Sequence, residues 1–381
     1  MPLVAHNALP TFDRLRAEGR LVLDAARARD QDIRPLHVGL LNLMPDAALE
    51  ATERQFFRLI GASNPIAQLH VHPFTLGSVA RGPAAREHVA RHYESVERVR
   101  ELGLDALILS GANVARADLA EEPFWEELAA LAAWAEGAVT STLCSCLATH
   151  AVLLARHGVR RTPLPAKLWG VYDHAVTDAT HPLVSGINTH TPVPHSRGNE
   201  VRRRDFEGAG LHVLMASEAA GVQLATSADG LRTVYLQGHP EYDAVSLMKE
   251  YKREVGRRLR GEAATWPPFP GGVFDAHSRA VLDEYRARAE TALATGAAPP
   301  AFPERHLVPR LRNTWVDSGK SLVGNWLGLV YQATHTERHL PFMDGVDPDD
   351  PLGWHAARAR RPQAPRDAAA SSSRAAAASR P

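Results

Sequence analysis

Cysteine is almost absent from this 381-residue chain: only Cys144 and Cys146 occur, separated by Ser145. A bridge across so short a loop would be strained, and a single pair would staple nothing, so both read as thiols of a reducing compartment. No apolar run of about 18 residues occurs, and no apolar stretch follows Met1, so neither a membrane span nor a secretory leader is expected. The cytoplasm is the simplest location. Charge of one sign is also lacking, with 43 basic and 43 acidic residues and a formal net charge of zero. That balance gives no support for nucleic acid or an anionic membrane as partner. Metal-ligand spacing is missing too. The 19 histidines are scattered, and the one helically spaced pair, His88 and His92, has neither an intervening Glu nor a nearby Cys, so no metal site is expected. No internal repeat is found.

What remains is an ordinary globular composition, 45% hydrophobic and 23% charged, with ample material for a core. Residues 1–34 read as an N-terminal arm with helical spacing over 15–28. Residues 36–44 form a compact apolar run ended by Pro45, which suits a buried parallel strand, and 49–60 follow with helical periodicity. A second strand is expected within 66–76, and a solvated helix or loop over 86–99. Residues 104–112 read as another apolar strand, ending in Ser-Gly-Ala at its carboxyl end, and a helix over 124–136 leads back to the next. Repeated alternation of strand and helix predicts an α/β fold, a doubly wound, mostly parallel sheet with helices on both faces. Ligands of such sheets bind at the carboxyl ends of the strands.

The stretch Val139-Thr-Ser-Thr142 is largely β-branched, and 147–154 reads as the opening of an apolar helix, so Cys146 falls at a strand-to-helix junction. There a tight turn lifts a side chain out of the sheet. The following helix N-terminus lowers thiol pKa and offers free N–H groups to an oxyanion, with the backbone N–H of Leu147 as one donor. Almost a hundred residues later, 234–236 reads as a short strand broken by Gly238, after which His239-Pro240-Glu241 places an imidazole and a carboxylate on one loop. Pro240 fixes its own φ and biases His239 to extended geometry. A thiol, an imidazole and a carboxylate on neighbouring strand ends form a Cys-His-acid arrangement, in which the base deprotonates the thiol and the acid orients the base.

Between these motifs the chain breaks into shorter pieces rich in Pro, His and Gly. Residues 167–174 and 191–197 read as loops or edge strands, and Lys167 and Arg197 taken alone read as solvated charges. A hairpin is expected over 211–226, a helix studded with Lys and Arg, including Arg253, over 244–259, and further helices over 279–295 and within 314–332. Residues 35–350 are expected to form one α/β domain. From 351 to 381 the composition collapses into Ala, Arg, Ser and Pro, which cannot bury enough apolar surface to offset ordering entropy, so a disordered tail is expected.

The pieces Ile33-Arg-Pro-Leu, Leu41-Asn-Leu-Met-Pro45, Thr52-Glu-Arg-Gln-Phe56, Val139-Thr-Ser-Thr-Leu, Pro194-His-Ser-Arg197, Gly238-His-Pro-Glu-Tyr-Asp243 and Asn325-Trp326 stand in one order. Together they resemble the homoserine O-succinyltransferases of methionine biosynthesis, which have a class I glutamine-amidotransferase-like, flavodoxin-like fold. The resemblance runs from the N-terminal residues to about position 332. It implies that Cys146 is the acyl-accepting nucleophile, His239 the proton acceptor and Glu241 its partner, with Lys167, Ser196 and Arg253 at substrate contacts. The implied substrates are succinyl-CoA and L-homoserine, with no further cofactor, and the implied assembly is a homodimer.

Departures from the family pattern count equally. Many members place two lysines after Pro45, where this chain reads Asp46-Ala-Ala-Leu49 and is slightly longer. The position that sorts succinyl from acetyl donors corresponds to Ala115, whose small side chain favours succinyl. Serine differs from homoserine by one methylene, worth only about 1–3 kcal/mol of discrimination. Acetyl-CoA as donor, serine as acceptor and glutamine amidotransferase-type hydrolysis are the alternatives. A redox role for Cys144 beside the nucleophile is a minor one.

Overall fold

Apolar side chains alternate between two faces along the central strands, and that alternation assembles the sheet and its two cores. The computed structural model describes residues 3–63, 67–114 and 116–360. The strands among them are β1 (Leu3–Ala5), β2 (Val22–Asp24), β3 (Leu36–Leu43), β4 (Leu69–Phe74), β5 (Ala106–Ala112), β6 (Ser141–Ser145), β7 (Thr162–Val176), β8 (His190–Glu200), β9 (His212–Ser217), β10 (Gly221–Thr226) and β11 (Thr233–Leu236). They form one sheet in the order β2-β1-β4-β3-β5-β6-β11-β10-β9-β7-β8. Every pairing from β2 through to β11 is parallel, and those from β11 to β8 are antiparallel. The expected mostly parallel sheet is thus observed, with an antiparallel extension at one side.

Val38, Leu40, Ile108, Leu143, Val234 and Leu236 face one core, covered by the helices Asp46–Gly61 and Val316–Ala333. Their sequence neighbours Leu41, Leu107, Leu109, Cys144 and Tyr235 face the other, covered by Trp125–Ala138 and Leu147–His157. A period of two on the strands therefore sorts side chains between two helical layers. Trp326 is fully buried, and its indole N–H donates to Ser141 Oγ at 2.8 Å, pinning the second helix to the root of β6. Truncating such a residue to Ala costs roughly 3–5 kcal/mol. Beside it Asn325 donates to the carbonyls of Leu183 and Ser185, so the Asn325-Trp326 pair holds this helix in place.

Several expectations need correction. Residues 3–34 are not a free arm: β1 and β2 pair parallel and β1 continues onto β4, while Phe12 and Leu15 enter the first core. The single helix expected over 15–28 is instead the helix Pro10–Ala17, β2 and the short helix Ala25–Arg29. The segment 86–99 holds parts of two helices, Pro83–His92 and Val96–Leu102. Residues 167–174 and 191–197, expected as loops or edge strands, are strands: they belong to β7 and β8, a long hairpin at the sheet edge, where strand prolines such as Pro163 and Pro192 are tolerated. Trp354–Ala359 is helical, and buried Trp354 packs edge-on against His181 and His212. An unstructured segment therefore does not begin at 351. Residues 361–381 of the expected tail lie outside the described residues.

Candidate active site

β6 is buried along its length and ends at Ser145, and the helix Leu147–His157 starts one residue later. Cys146 makes the turn alone, with φ 53° and ψ −109°, and is the only non-glycine residue at positive φ among the described residues. Such a conformation costs on the order of 1–3 kcal/mol and persists only where the surroundings impose it. They do so from both sides. Cys146 N–H donates to Leu236 O at 2.7 Å, and Thr149 Oγ donates to Leu236 O at 2.8 Å and Cys144 O at 3.0 Å. Cys146 stays partly exposed while Cys144 is enclosed in the second core, where burial pushes its thiol up to about 12. Of the two thiols, only Cys146 can meet a substrate.

The His239 loop is held just as firmly. Gln237, at the end of β11, donates to Val201 O at 3.0 Å and Val222 O at 2.8 Å, and its Oε1 accepts from Val201 N–H at 2.8 Å. Gly238 N–H donates to Gln223 Oε1 at 2.8 Å. A Cβ on Gly238 would lie 2.5 Å from Gln223 Oε1, 2.8 Å from Val193 Cγ1 and 2.9 Å from His195 Cε1, so only glycine fits. His239 N–H donates to Pro194 O at 2.8 Å, and its Nδ1 meets Glu241 Oε1 at 2.8 Å.

With Nδ1 engaged by Glu241, the other ring nitrogen is left for the Cys146 side chain, whose influence reaches the imidazole. Burial alone would lower the imidazole pKa. The Cys146 and Glu241 charges and their hydrogen bonds outweigh it, and the pKa stands well above its ordinary value. The arrangement favours an imidazolium, with Glu241 fixing the ring. Ser145 Oγ also approaches Glu241 Oε1, at 3.5 Å.

The residues expected at substrate contacts group less evenly. Lys167 Nζ and Ser196 Oγ both reach Glu250 Oε2, at 3.2 and 2.5 Å. Arg253, one helical turn beyond Glu250, is half exposed and donates to Glu254 Oε1 at 3.2 Å. Arg197 is not a solvated charge: it is buried, donates to Ala220 O at 2.6 Å and Asn199 O at 2.8 Å, and senses the Cys146 charge. Leu147 opens the helix behind Cys146, so its N–H belongs to the first turn, whose amides lack intrahelical acceptors. Ala115 lies outside the described residues.

Sequence reasoning missed Glu250, Tyr242 as more than a motif letter, Gly111 and Arg81. A Cβ on Gly111 would sit 3.7 Å from Cys146 Cβ and 3.8 Å from Met44 Sδ, so the end of β5 approaches the thiol closely. Arg81 reaches the Asn42–Asp46 turn: it donates to the carbonyls of Asn42 and Met44, and pairs with Asp46. A cation therefore arrives from another segment at the turn where the family pattern leads lysines to be expected. Glu250 did leave a signal, as an acid beside the buried stripe of Leu247 and Tyr251 on an otherwise basic helix.

A family profile described as homoserine O-succinyltransferase matches residues 2–336. The chain is 59% identical over 353 residues to the homoserine O-succinyltransferase of Allochromatium vinosum, covering 93% of this chain and 99% of that protein. It is 58% identical to that of Thiobacillus denitrificans, with the same coverage. Among solved structures it is similar to a glutamine amidotransferase from Thermotoga maritima, at 13% identity and a TM-score of 0.44, covering 78% of this chain and 99% of the other. A glutamine amidotransferase from Methylobacillus flagellatus has 13% identity and a TM-score of 0.46, covering 78% and 95%.

Proposed function

The chain belongs to the homoserine O-succinyltransferase family, and we propose that it transfers the succinyl group of succinyl-CoA to the hydroxyl of L-homoserine through a Cys146 acyl-enzyme. The observation that carries this reading is His239, hydrogen-bonded to Glu241, following β11 at the same carboxyl end of the sheet where Cys146 follows the adjacent parallel strand β6.

The Cys146 thiolate attacks the thioester carbonyl. The backbone N–H of Leu147, at a helix N-terminus, stabilises the oxyanion, and the close approach of Gly111 brings a second stretch of backbone to the same place. Collapse breaks the bond to the coenzyme A sulfur, which takes the His239 proton. Neutral His239 then accepts the proton of the homoserine hydroxyl as that oxygen attacks the acyl-enzyme, and Cys146 leaves as thiolate. Lys167, Ser196 and Arg253 are assigned to the acceptor, with Arg253 gripping its carboxylate once released from Glu254. Succinyl rather than acetyl follows from the small Ala115 and from the activity named for the relatives. A homodimer and a cytoplasmic location complete the proposal.

Initial rates with both substrates varied test it. Parallel double-reciprocal lines, and a kcat/KM higher for homoserine than for serine and for succinyl-CoA than for acetyl-CoA, are expected. Intersecting lines exclude the acyl-enzyme route. Ammonia released from glutamine faster than coenzyme A is released would replace the reading by amidotransferase chemistry.

A further inference from the structure

Glu241 holds His239 at one edge of the imidazole; a second acid reaches the ring through Tyr242. The Tyr242 ring lies face-on over His239, with centroids 4.2 Å apart and planes 17° from parallel. Its hydroxyl donates to Glu250 Oε1 at 2.8 Å. The other Glu250 oxygen accepts from Ser196 Oγ and from Lys167 Nζ. Burial opposes the charge on Glu250, but Lys167, Ser196, Tyr242 and His239 outweigh it and keep the carboxyl ionised. Tyr242 is partly buried, and desolvation with the Glu250 and Glu241 charges holds its phenol protonated and donating. A rigid path thus runs from Lys167 and Ser196 through Glu250 and Tyr242 to the face of the catalytic base.

We propose that Tyr242 is a positioning residue that couples the Lys167–Ser196–Glu250 cluster to His239, so that the acceptor entering that cluster sets the angle of the imidazole for the second half-reaction. This rests on the acyl-enzyme reading above. An aromatic face also favours a cation over it, adding to the hold of Glu241 on the protonated ring. The other groups around the imidazole are Cys146, Glu241 and His195; burial, the Arg197 charge and His174 hold His195 well below its ordinary pKa and therefore neutral.

Tyr242→Phe keeps the stack and removes the tie to Glu250, whereas Tyr242→Leu removes both. The test measures two single-turnover rates across pH: acyl-enzyme formation from succinyl-CoA, and its discharge by homoserine. In Tyr242→Phe, discharge is expected to fall about tenfold and acylation no more than about threefold. In Tyr242→Leu both fall, and the alkaline limb of acylation moves down by about half a pH unit as the imidazolium loses its aromatic face. Equal losses in both half-reactions with an unmoved alkaline limb would mean packing alone and overturn the proposal, as would unchanged rates in both variants. If the unsubstituted protein takes up no acyl group, the functional reading itself fails, and this inference with it.

Discussion

Ser145 and Leu236 are register partners on the adjacent parallel strands β6 and β11. The residues after them leave the sheet at the same edge, so Cys146 and His239 meet although 93 positions separate them in the sequence. Parallel pairing is what brings two distant motifs into one candidate site.

Glu241 keeps the His239 ring oriented and charged. Glu241→Gln keeps the shape but not the charge, and is expected to lower kcat by about 10²–10⁴-fold. Removing that carboxylate also lowers the imidazole pKa, so activity is lost at lower pH on the alkaline side. A pH–rate profile of the variant checks both effects, and a profile matching the unsubstituted protein would deny Glu241 its role.

The Arg81 side chain is buried and ties together the carbonyls of Asn42 and Met44 in the turn after β3. Arg81→Met leaves those acceptors unsatisfied, at a cost of about 1–3 kcal/mol in stability. KM for succinyl-CoA is expected to rise with it, because the turn at Met44 flanks the thiol. Denaturant unfolding and donor saturation curves read the two effects separately. Unchanged values of both would remove Arg81 from the account.

His6, His37, His70 and His72 form a stack across β1, β4 and β3, with His37 Nδ1 and His72 Nε2 3.0 Å apart. Burial first, then the charges of neighbouring histidines and Arg338, hold His37 down to about 2 and His70 to about 4, and His6 is lowered as well. Glu94 faces the stack 3.9 Å from His72 Nδ1 and lowers this penalty only in part. The unfolded chain binds protons near pH 6.5 that the folded stack refuses. Stability is therefore full above 6.5 and declines as pH falls through about 4. Melting should come about 2–4 °C lower or more at pH 5 than at pH 7.5, and His37→Phe should flatten that dependence. Equal slopes for the two proteins would contradict it.

The central strands were legible because β3 and β5 are apolar runs closed by turn residues, the pattern a buried parallel sheet requires, and the stretch leading into β6 is largely β-branched and closed by a helix start. β1 and β2 have three residues each, too few for a periodic signal, and owe their place to the edge offered by β4. Trp354 shows the same limit: one buried indole against His181 and His212 organises a turn that composition assigns to a tail. In the site, Cys146, His239 and Glu241 could be read from the sequence because each sits at a break in a local pattern. The roles of Tyr242 and Arg81 could not, and Glu250 left only the hint of one acid on a basic helix, because their partners lie on other segments that only folding brings together.

The most direct measurement is the mass of the intact protein after brief mixing with succinyl-CoA, followed by addition of homoserine. The account requires a gain of about 100 Da, the mass of one succinyl group, carried by the Cys146 thiol. That gain should be absent from Cys146→Ala and discharged by homoserine faster than by serine. A protein that gains no mass, or a Cys146→Ala variant that gains it equally, would contradict the claim that Cys146 carries the acyl group.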